Sequence, residues 1–341
     1  MKKITDLTLI IPTKNRPEFI FKILDYYKKN AFTGKIIIAD SSSNKNYNVT
    51  KKIIRSFKLD ISLYNHSGYT WQAIKKISSR INTEFCIYTG DDDFLVISTV
   101  LKVLEKLKKN HSFSGFCGES LIYSTKLNKN LIQNLSNYKQ KKYDQVKLDN
   151  RISSLINDYS VPHFSIMRSE IFKKFLTFIP LKNSMCPIRH YSDEYLITLL
   201  FIASGRIGKI NDLMLIRLGH TQKWSVNHIN QNKNSKKDYQ KSIQFVLNAF
   251  FNFTLNNKLK LNKERLTKQL LEFFPDKDLD IQPKHKPQLF SFLIDSIKSN
   301  INFYYNIKIG SIISSYQFRY DADKIKSLRL VKKIIENKMN Y

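Results

Sequence analysis

Between Leu7 and Tyr123 the chain alternates two patterns that few architectures accommodate together. Short apolar runs rich in β-branched residues occur at Leu7-Thr8-Leu9-Ile10-Ile11, Lys35-Ile36-Ile37-Ile38-Ala39, Ile61-Ser62-Leu63-Tyr64 and Phe85-Cys86-Ile87-Tyr88. Runs of this kind suit strands buried on both faces of a sheet. Between them, apolar residues recur every three or four positions. Examples are Ile20, Ile23, Leu24 and Tyr27; Val49, Ile53, Ile54 and Phe57; Ile74, Ile77 and Ile81; and Val100, Leu101, Leu104 and Leu107. Each set marks one stripe of a helix. Pro12 halts the first strand, Asn15 is placed to cap the first helix, and Pro17 fits its first turn. Strands alternating with helices predict an α/β fold, a mainly parallel sheet with helices on both faces and right-handed connections.

In open sheets of this kind, ligands bind beyond the carboxyl ends of the strands. Three polar clusters fall at those ends: Pro12-Thr13, Asp40, and Gly90-Asp91-Asp92-Asp93. Three adjacent carboxylates repel one another, so water or a cation must neutralise them. Oxygen-rich sites suit Mg²⁺ or Mn²⁺, especially where phosphates complete the shell. Taken alone, the triplet fits an acidic turn equally well, since Asp is common in turns. The convergence of three clusters on one rim favours a ligand site.

The formal charge of +29 over 341 residues points to a polyanionic partner: nucleic acid, an anionic membrane face or phosphate-bearing substrates. Lys-rich surface drift is the competing explanation. Cys86, Cys117 and Cys186 show no paired spacing, which implies reduced thiols and a cytosolic setting. The start, Met1 to Asp6, meets an acid before any apolar core develops and does not resemble a signal peptide. The apolar run Tyr195–Ala203 falls short of the ~18–20 residues that span a bilayer.

Three segments, Ile10-Ile11-Pro12-Thr13-Lys14-Asn15-Arg16, Ile38-Ala39-Asp40-Ser41 and Gly90-Asp91-Asp92-Asp93, resemble the successive landmarks of family 2 glycosyltransferases with the GT-A fold. The resemblance covers roughly residues 7–225. It implies a nucleotide seated over Pro12, Thr13, Asn15 and Arg16, with Asp40 holding the base. It further implies that Asp91 and Asp92 contact ribose and diphosphate, and that Asp91 and Asp93 ligate Mn²⁺ or Mg²⁺. Two departures stand out: the family's Asp-Asp after the second strand is Asp40-Ser41, and its pattern before the acidic strand is Gly68-Tyr69-Thr70-Trp71-Gln72.

Further along, Val161–Phe172 resembles the segment lining the family's acceptor site, with His163 a structural or acceptor-contacting residue rather than a catalyst. His190-Tyr191-Ser192-Asp193-Glu194 resembles the Glu-Asp element that supplies the general base, with the order changed. Acids in a first helical turn are ordinary helix chemistry, which accounts for Glu194. With Ser192 as N-cap, Asp193 becomes the first helical residue and is the favoured base. Ile210–His220 resembles the closing strand that ends in an Arg and a His near the diphosphate. His220 is therefore a candidate nitrogen ligand or else a surface histidine, and Trp224-Ser225 a candidate cover for the site.

A GT-A unit over 1–228 is expected, followed by a basic helical extension over 229–341. The extension's amphipathic helices either pack on the catalytic unit or, through the basic stretch 324–338, rest on anionic lipid. The function expected is an inverting, metal-dependent transfer of a sugar from a nucleotide sugar to a glycan or lipid-linked acceptor, in surface polysaccharide or glycoconjugate synthesis. The setting expected is cytoplasmic or peripheral at the inner membrane face. The rival expectations are a nucleic-acid-binding protein and a metal-dependent nuclease or nucleotidyltransferase. Nucleic acid is disfavoured because the acidic rim would repel phosphates.

Overall fold

The computed structural model describes residues 3–66, 68–124, 135–180, 189–219, 236–273 and 322–336. Strands β1 (Leu7–Thr13), β2 (Lys35–Asp40), β3 (Ile61–Asn65) and β4 (Phe85–Tyr88) pair in parallel in the order β3-β2-β1-β4. Helices α1 (Pro17–Lys29), α2 (Asn44–Arg55) and α3 (Thr70–Ile77) make the crossovers. These are the predicted alternating elements, and the strand interiors are buried as their apolar runs require.

Beyond β4 the sheet becomes mixed. β5 (Asp93–Leu95), β6 (Phe113–Ser124), β7 (Leu135–Tyr138), β8 (Ile166–Arg168) and β9 (Arg206–Gly219) complete nine strands, continuing β4-β8-β6-β9-β5, with β7 on β6. β8 lies antiparallel between β4 and β6, β5 runs antiparallel to β9, and β6 and β9 are parallel. Helices α4 (Ile97–Lys109), α5 (Leu148–Asn157), α6 (Ser169–Leu176) and α7 (Arg189–Ala203) cover the faces.

Apolar side chains form one cluster on each face. On one, α1, α4 and the β9 residues Leu213, Leu215 and Leu218 meet. On the other, α3, α6 and α7 meet α8 (Lys236–Asn256) and Leu266 of α9 (Lys263–Phe273). α8 contributes Ile243, Val246, Phe250 and Phe253, the last ring lying edge-on to Phe178 at 5.1 Å. α10 (Ala322–Glu336) buries Leu328, Val331 and Ile334 in the first cluster beside α1, where Lys22 Nζ donates to the Ile335 carbonyl. The apolar face of α10 is thus spent on packing, the first of the two expectations for the extension. No described helix is long and apolar enough to cross a membrane. Cys86 and Cys117 are buried free thiols; Cys186 lies outside the described residues.

Candidate active site

The parallel register sets the ends of neighbouring strands side by side. Thr13 is opposite Asp40, and Asp40 is opposite Asn65. The turn after β1 is tied to the turn after β2: Ser41 N–H donates to the Thr13 carbonyl at 2.9 Å and Asn15 N–H to Ser42 Oγ at 2.6 Å. Asn15 Oδ1 accepts from Ser43 N–H at 2.9 Å and Asn46 Nδ2 at 3.1 Å. Asn15 does this with φ +55, a left-handed conformation that asparagine tolerates. Its predicted capping role falls instead to Arg16, with the helix opening at Pro17, because the Asn15 side chain is spent on the second turn.

Asp40 is wholly buried. Oδ1 accepts from Ser42 N–H at 2.8 Å, while Oδ2 has no hydrogen-bond partner among the described residues. The carbonyl of Asp40 accepts from His66 N–H at 2.8 Å, and the His66 ring, 7% exposed, likewise leaves Nε2 without a partner.

The acidic triplet leaves β4 through Thr89 and Gly90. A side chain at Gly90 would come within 2.7 Å of Asp92 Oδ1 and 2.9 Å of Asp93 Oδ2, so glycine leaves room for these two carboxylates to fold back on the turn. Asp91 accepts from Thr13 Oγ1 at 2.7 Å and pairs with Arg16 Nη1 at 2.9 Å; the other arm of Arg16, Nη2, holds Asp92 at 3.0 Å. The Arg16 guanidinium also lies 3.8 Å over the Phe19 ring. Asp93 opens β5 and is the cross-strand partner of Arg217 on β9, joined Nε to Oδ1 at 2.9 Å, while its Oδ2 accepts from Gly90 N–H at 3.0 Å. Arg217 lies 4.5 Å from the ring centres of both Tyr138 and Phe164.

Burial is the main influence on these acids. It pushes the Asp91 carboxyl up, with Asp92 adding to the rise and Arg16 and Thr13 opposing it. Asp93 is also raised by burial, against the pull of Arg217. For Arg217 burial works the other way, but Asp93, Tyr138 and Asp92 outweigh it and raise the guanidinium above its ordinary value.

Two arginines therefore face three acids, of which Asp91 and Asp93 are buried. Among the described residues no group of three or more His, Cys, Asp or Glu is placed to hold a metal ion. Both oxygens of Asp91 and both of Asp93 already have partners. His220 lies outside the described residues, as do Trp224 and Ser225. An all-oxygen donor set with surplus negative charge fits a hard divalent ion that arrives with phosphate, rather than one held by the protein alone.

The helix carrying the candidate base already runs at Arg189, so Ser192 is inside it and not its N-cap. That shift separates the two acids: Asp193 is buried, 6% exposed, whereas Glu194 is exposed and accepts from Tyr159 OH at 2.8 Å. Although part of the residue meets solvent, neighbouring protein atoms desolvate the Glu194 carboxyl and raise it, with Tyr159 and Arg217 opposing. Tyr138, pushed up to about 12 mainly by burial, also feels Arg217, Glu194 and Asp93, so these groups share one neighbourhood. His163 is buried, meets Thr198 Oγ1 at 3.0 Å and packs on Trp71 and Phe201; burial lowers it to about 3. It is a structural residue. Sequence reasoning missed Tyr138, Tyr159 and His66, whereas Phe164 lies in the segment 161–172 singled out for its resemblance to an acceptor-site lining. A lone arginine within an apolar strand was the available signal for the Asp93–Arg217 pair.

With this geometry in view, comparison with solved structures identifies the architecture. The chain matches S. aureus TarS residues 1–349 in complex with UDP-GlcNAc at TM-score 0.56 and 16% identity, covering 96% of this chain and 91% of that one. The same fragment with UDP matches at TM-score 0.54 and 16% identity over 96% and 90%. The longer S. aureus TarS chain matches at TM-score 0.53 and 15% identity, over 96% of this chain and 55% of that one. The fold is of the GT-A type. No protein-family model and no curated protein sequence matches the chain.

Proposed function

We propose that the protein is a glycosyltransferase that moves a sugar from a nucleoside-diphosphate sugar to an acceptor hydroxyl with inversion. The observation that carries this reading is the gathering of Asp40, Asp91–Asp93 and Glu194 on the rim of a sheet shared with TarS, whose structures hold UDP-GlcNAc and UDP. Pro12, Thr13, Asn15 and Arg16 form the floor under the nucleotide, Asp40 meets the base, and Asp91 and Asp92 face ribose and diphosphate. Asp91 and Asp93, with His220, would hold Mn²⁺ or Mg²⁺, whose contribution is to screen charge on the departing diphosphate. Arg16 and Arg217 serve the same electrostatic end from the protein side.

Glu194 is the better-placed base, ahead of Asp193. It is the exposed one of the pair, its Oε1 is oriented by Tyr159, and its raised carboxyl makes it a stronger proton acceptor once ionised. It takes the proton of the acceptor hydroxyl as that oxygen attacks the anomeric carbon and the carbon–diphosphate oxygen bond breaks. One displacement inverts the centre and needs no covalent intermediate.

The acceptor is a glycan or lipid-linked saccharide in surface polysaccharide or glycoconjugate synthesis, reached by a cytoplasmic or membrane-peripheral enzyme. The catalytic unit is assigned to 1–228, with 229–341 as a buttress. Nucleotide sugars should be incubated singly with the protein and Mn²⁺, and nucleoside diphosphate release followed. Slow hydrolysis of one of them, lost in an Asp93→Asn protein that remains folded at the assay temperature, is the expected result. Equal inertness towards all, or cleavage of DNA instead, would overturn the assignment.

A further inference from the structure

We propose that His163, Thr198 and Tyr159 are positioning residues for the base. They form a one-way hydrogen-bond chain from the His163 ring to Glu194 Oε1 and leave Oε2 for the acceptor hydroxyl. This rests on the transferase reading above and on Glu194 as its base. Glu194 is exposed, and a glutamate side chain in solvent samples many rotamers. Tyr159 OH holds Oε1 at 2.8 Å, and the Tyr159 ring lies 5.4 Å from that of Tyr195, the next residue on α7. Thr198, one turn further along α7 and wholly buried, is also a hydrogen-bond partner of Tyr159 OH. On its other side Thr198 Oγ1 meets His163 Nε2 at 3.0 Å. The ring packs on Trp71 and Phe201 and has the Glu194 backbone carbonyl as a further partner. The chain therefore begins in the core and ends at the rim.

Counting hydrogens gives the chain its direction. An ionised carboxylate can only accept, so the single hydrogen of Tyr159 OH goes to Glu194. The phenol oxygen is left to accept, and the hydroxyl hydrogen of Thr198 goes to it. Thr198 Oγ1 accepts in turn, which assigns the hydrogen of the neutral ring to Nε2. The Glu194 carbonyl is an acceptor as well and asks the same of the ring. Burial keeps the imidazole neutral, with Arg217 adding to the effect. Hydrogen bonds aligned head to tail polarise one another, so a change at the buried end is felt at the carboxylate. The titratable and charged groups facing Glu194 are Tyr159 from the segment before β8, Arg217 from β9 and Tyr138 from β7. Tyr159 and Arg217 both favour its ionised form, and Tyr159 does so by direct contact.

Carbon-13 NMR titration of the full chain with labelled glutamate carboxyls reads Glu194 without turnover, its signal being the one lost in Glu194→Gln. Tyr159→Phe should raise the Glu194 midpoint by about one pH unit, because the ionised form loses its donor. Thr198→Val should raise it by a smaller step, about half a unit, and Thr198→Ser should restore it. Hydrolysis of nucleotide sugars with Mn²⁺ then ties the chain to the reaction. In Tyr159→Phe the acid limb of kcat should move up with the midpoint and kcat should fall about tenfold, while KM for the donor stays within about twofold. An unmoved midpoint in a folded Tyr159→Phe protein, with Glu194→Gln inactive, would overturn the chain and leave the base in place. A midpoint that moves without the limb would make the chain structural only and overturn its positioning role. A midpoint that moves in Tyr159→Phe but not in Thr198→Val would cut Thr198 and His163 out and overturn the proposal as stated. His163→Gln, whose amide can donate from the place of Nε2, should titrate like the wild type, and His163→Leu like Thr198→Val. The Thr198 pair decides if His163→Leu does not fold. Wild-type turnover in Glu194→Gln would instead overturn the base assignment, and inertness of the wild type towards every nucleotide sugar the transferase reading itself.

Discussion

Asp91 and Asp93 lie two residues apart, yet they are neutralised from distant parts of the chain. On the β1–β2 side, Asp91 is met by Thr13 and Arg16, which follow the first strand. Arg16 is 21% exposed and spreads its charge over two acids. On the β9 side, Asp93 is met by Arg217, 124 residues away, flanked by Tyr138 and Phe164 and facing a carboxylate that is 2% exposed. The same electrostatic problem is thus answered once by an arginine on a turn that is shared between two acids and once by an arginine on a strand that pairs with one. The second is part of the core and holds the acidic turn against β9, an anchor reinforced by Leu218 N–H donating to the Asp92 carbonyl at 3.1 Å.

The sharpest break between the two sides should come from the acid on α7. Glu194→Gln should lower kcat by roughly 10²–10⁴-fold, the usual contribution of a general base, while donor affinity measured by titration stays within about twofold. Asp193→Asn should act on the melting temperature more than on kcat, since its carboxylate is buried. A dead, stable Asp193→Asn enzyme beside an active Glu194→Gln one would reverse the assignment.

Next in size is the anchor itself. Arg217→Met leaves Asp93 buried without its counter-charge and should cost about 3–5 kcal/mol in urea unfolding. Arg16→Met should cost less, about 1–2 kcal/mol, because Thr13 still donates to Asp91. Equal losses would show that the two sides are energetically alike and would remove the contrast.

Smaller effects should appear with pH. Because Asp91 is raised above its ordinary 3.8, the folded state holds that proton more tightly than the unfolded chain does. Stability relative to Asp91→Asn should therefore fall as pH climbs from 3.8 through the raised value, as thermal melts across pH would record. A difference that grows with pH would mean that Arg16 overcompensates burial. The acid limb of kcat should likewise lie above 4.5, the ordinary value of Glu194, because the base must be ionised to work. Smallest of all, Mn²⁺ without nucleotide should move the melting temperature by no more than about 1 °C, since the oxygens of Asp91 and Asp93 are already engaged, and UDP should enlarge the shift. A large shift with Mn²⁺ alone would reveal a standing metal centre.

What the sequence determined by itself was local. β-Branched runs and helical stripes fix the elements from β1 to α4, because burial of a periodic face depends on residues a few positions apart. Ends of parallel strands align by necessity, so Thr13, Asp40 and the acidic triplet were bound to share a rim. Tertiary structure decided the rest. No spacing rule brings Arg217 to Asp93, or Tyr138 and Phe164 to Arg217; these contacts follow from antiparallel pairing of β5 with β9 and from the places of β7 and β8 in the sheet. The start of α7 before Ser192, and with it the separation of Asp193 from Glu194, depended on where that helix packs against α8 and the sheet. A helix boundary shifted by three or four residues changes which side chain faces the ligand, because consecutive helical residues point about 100° apart.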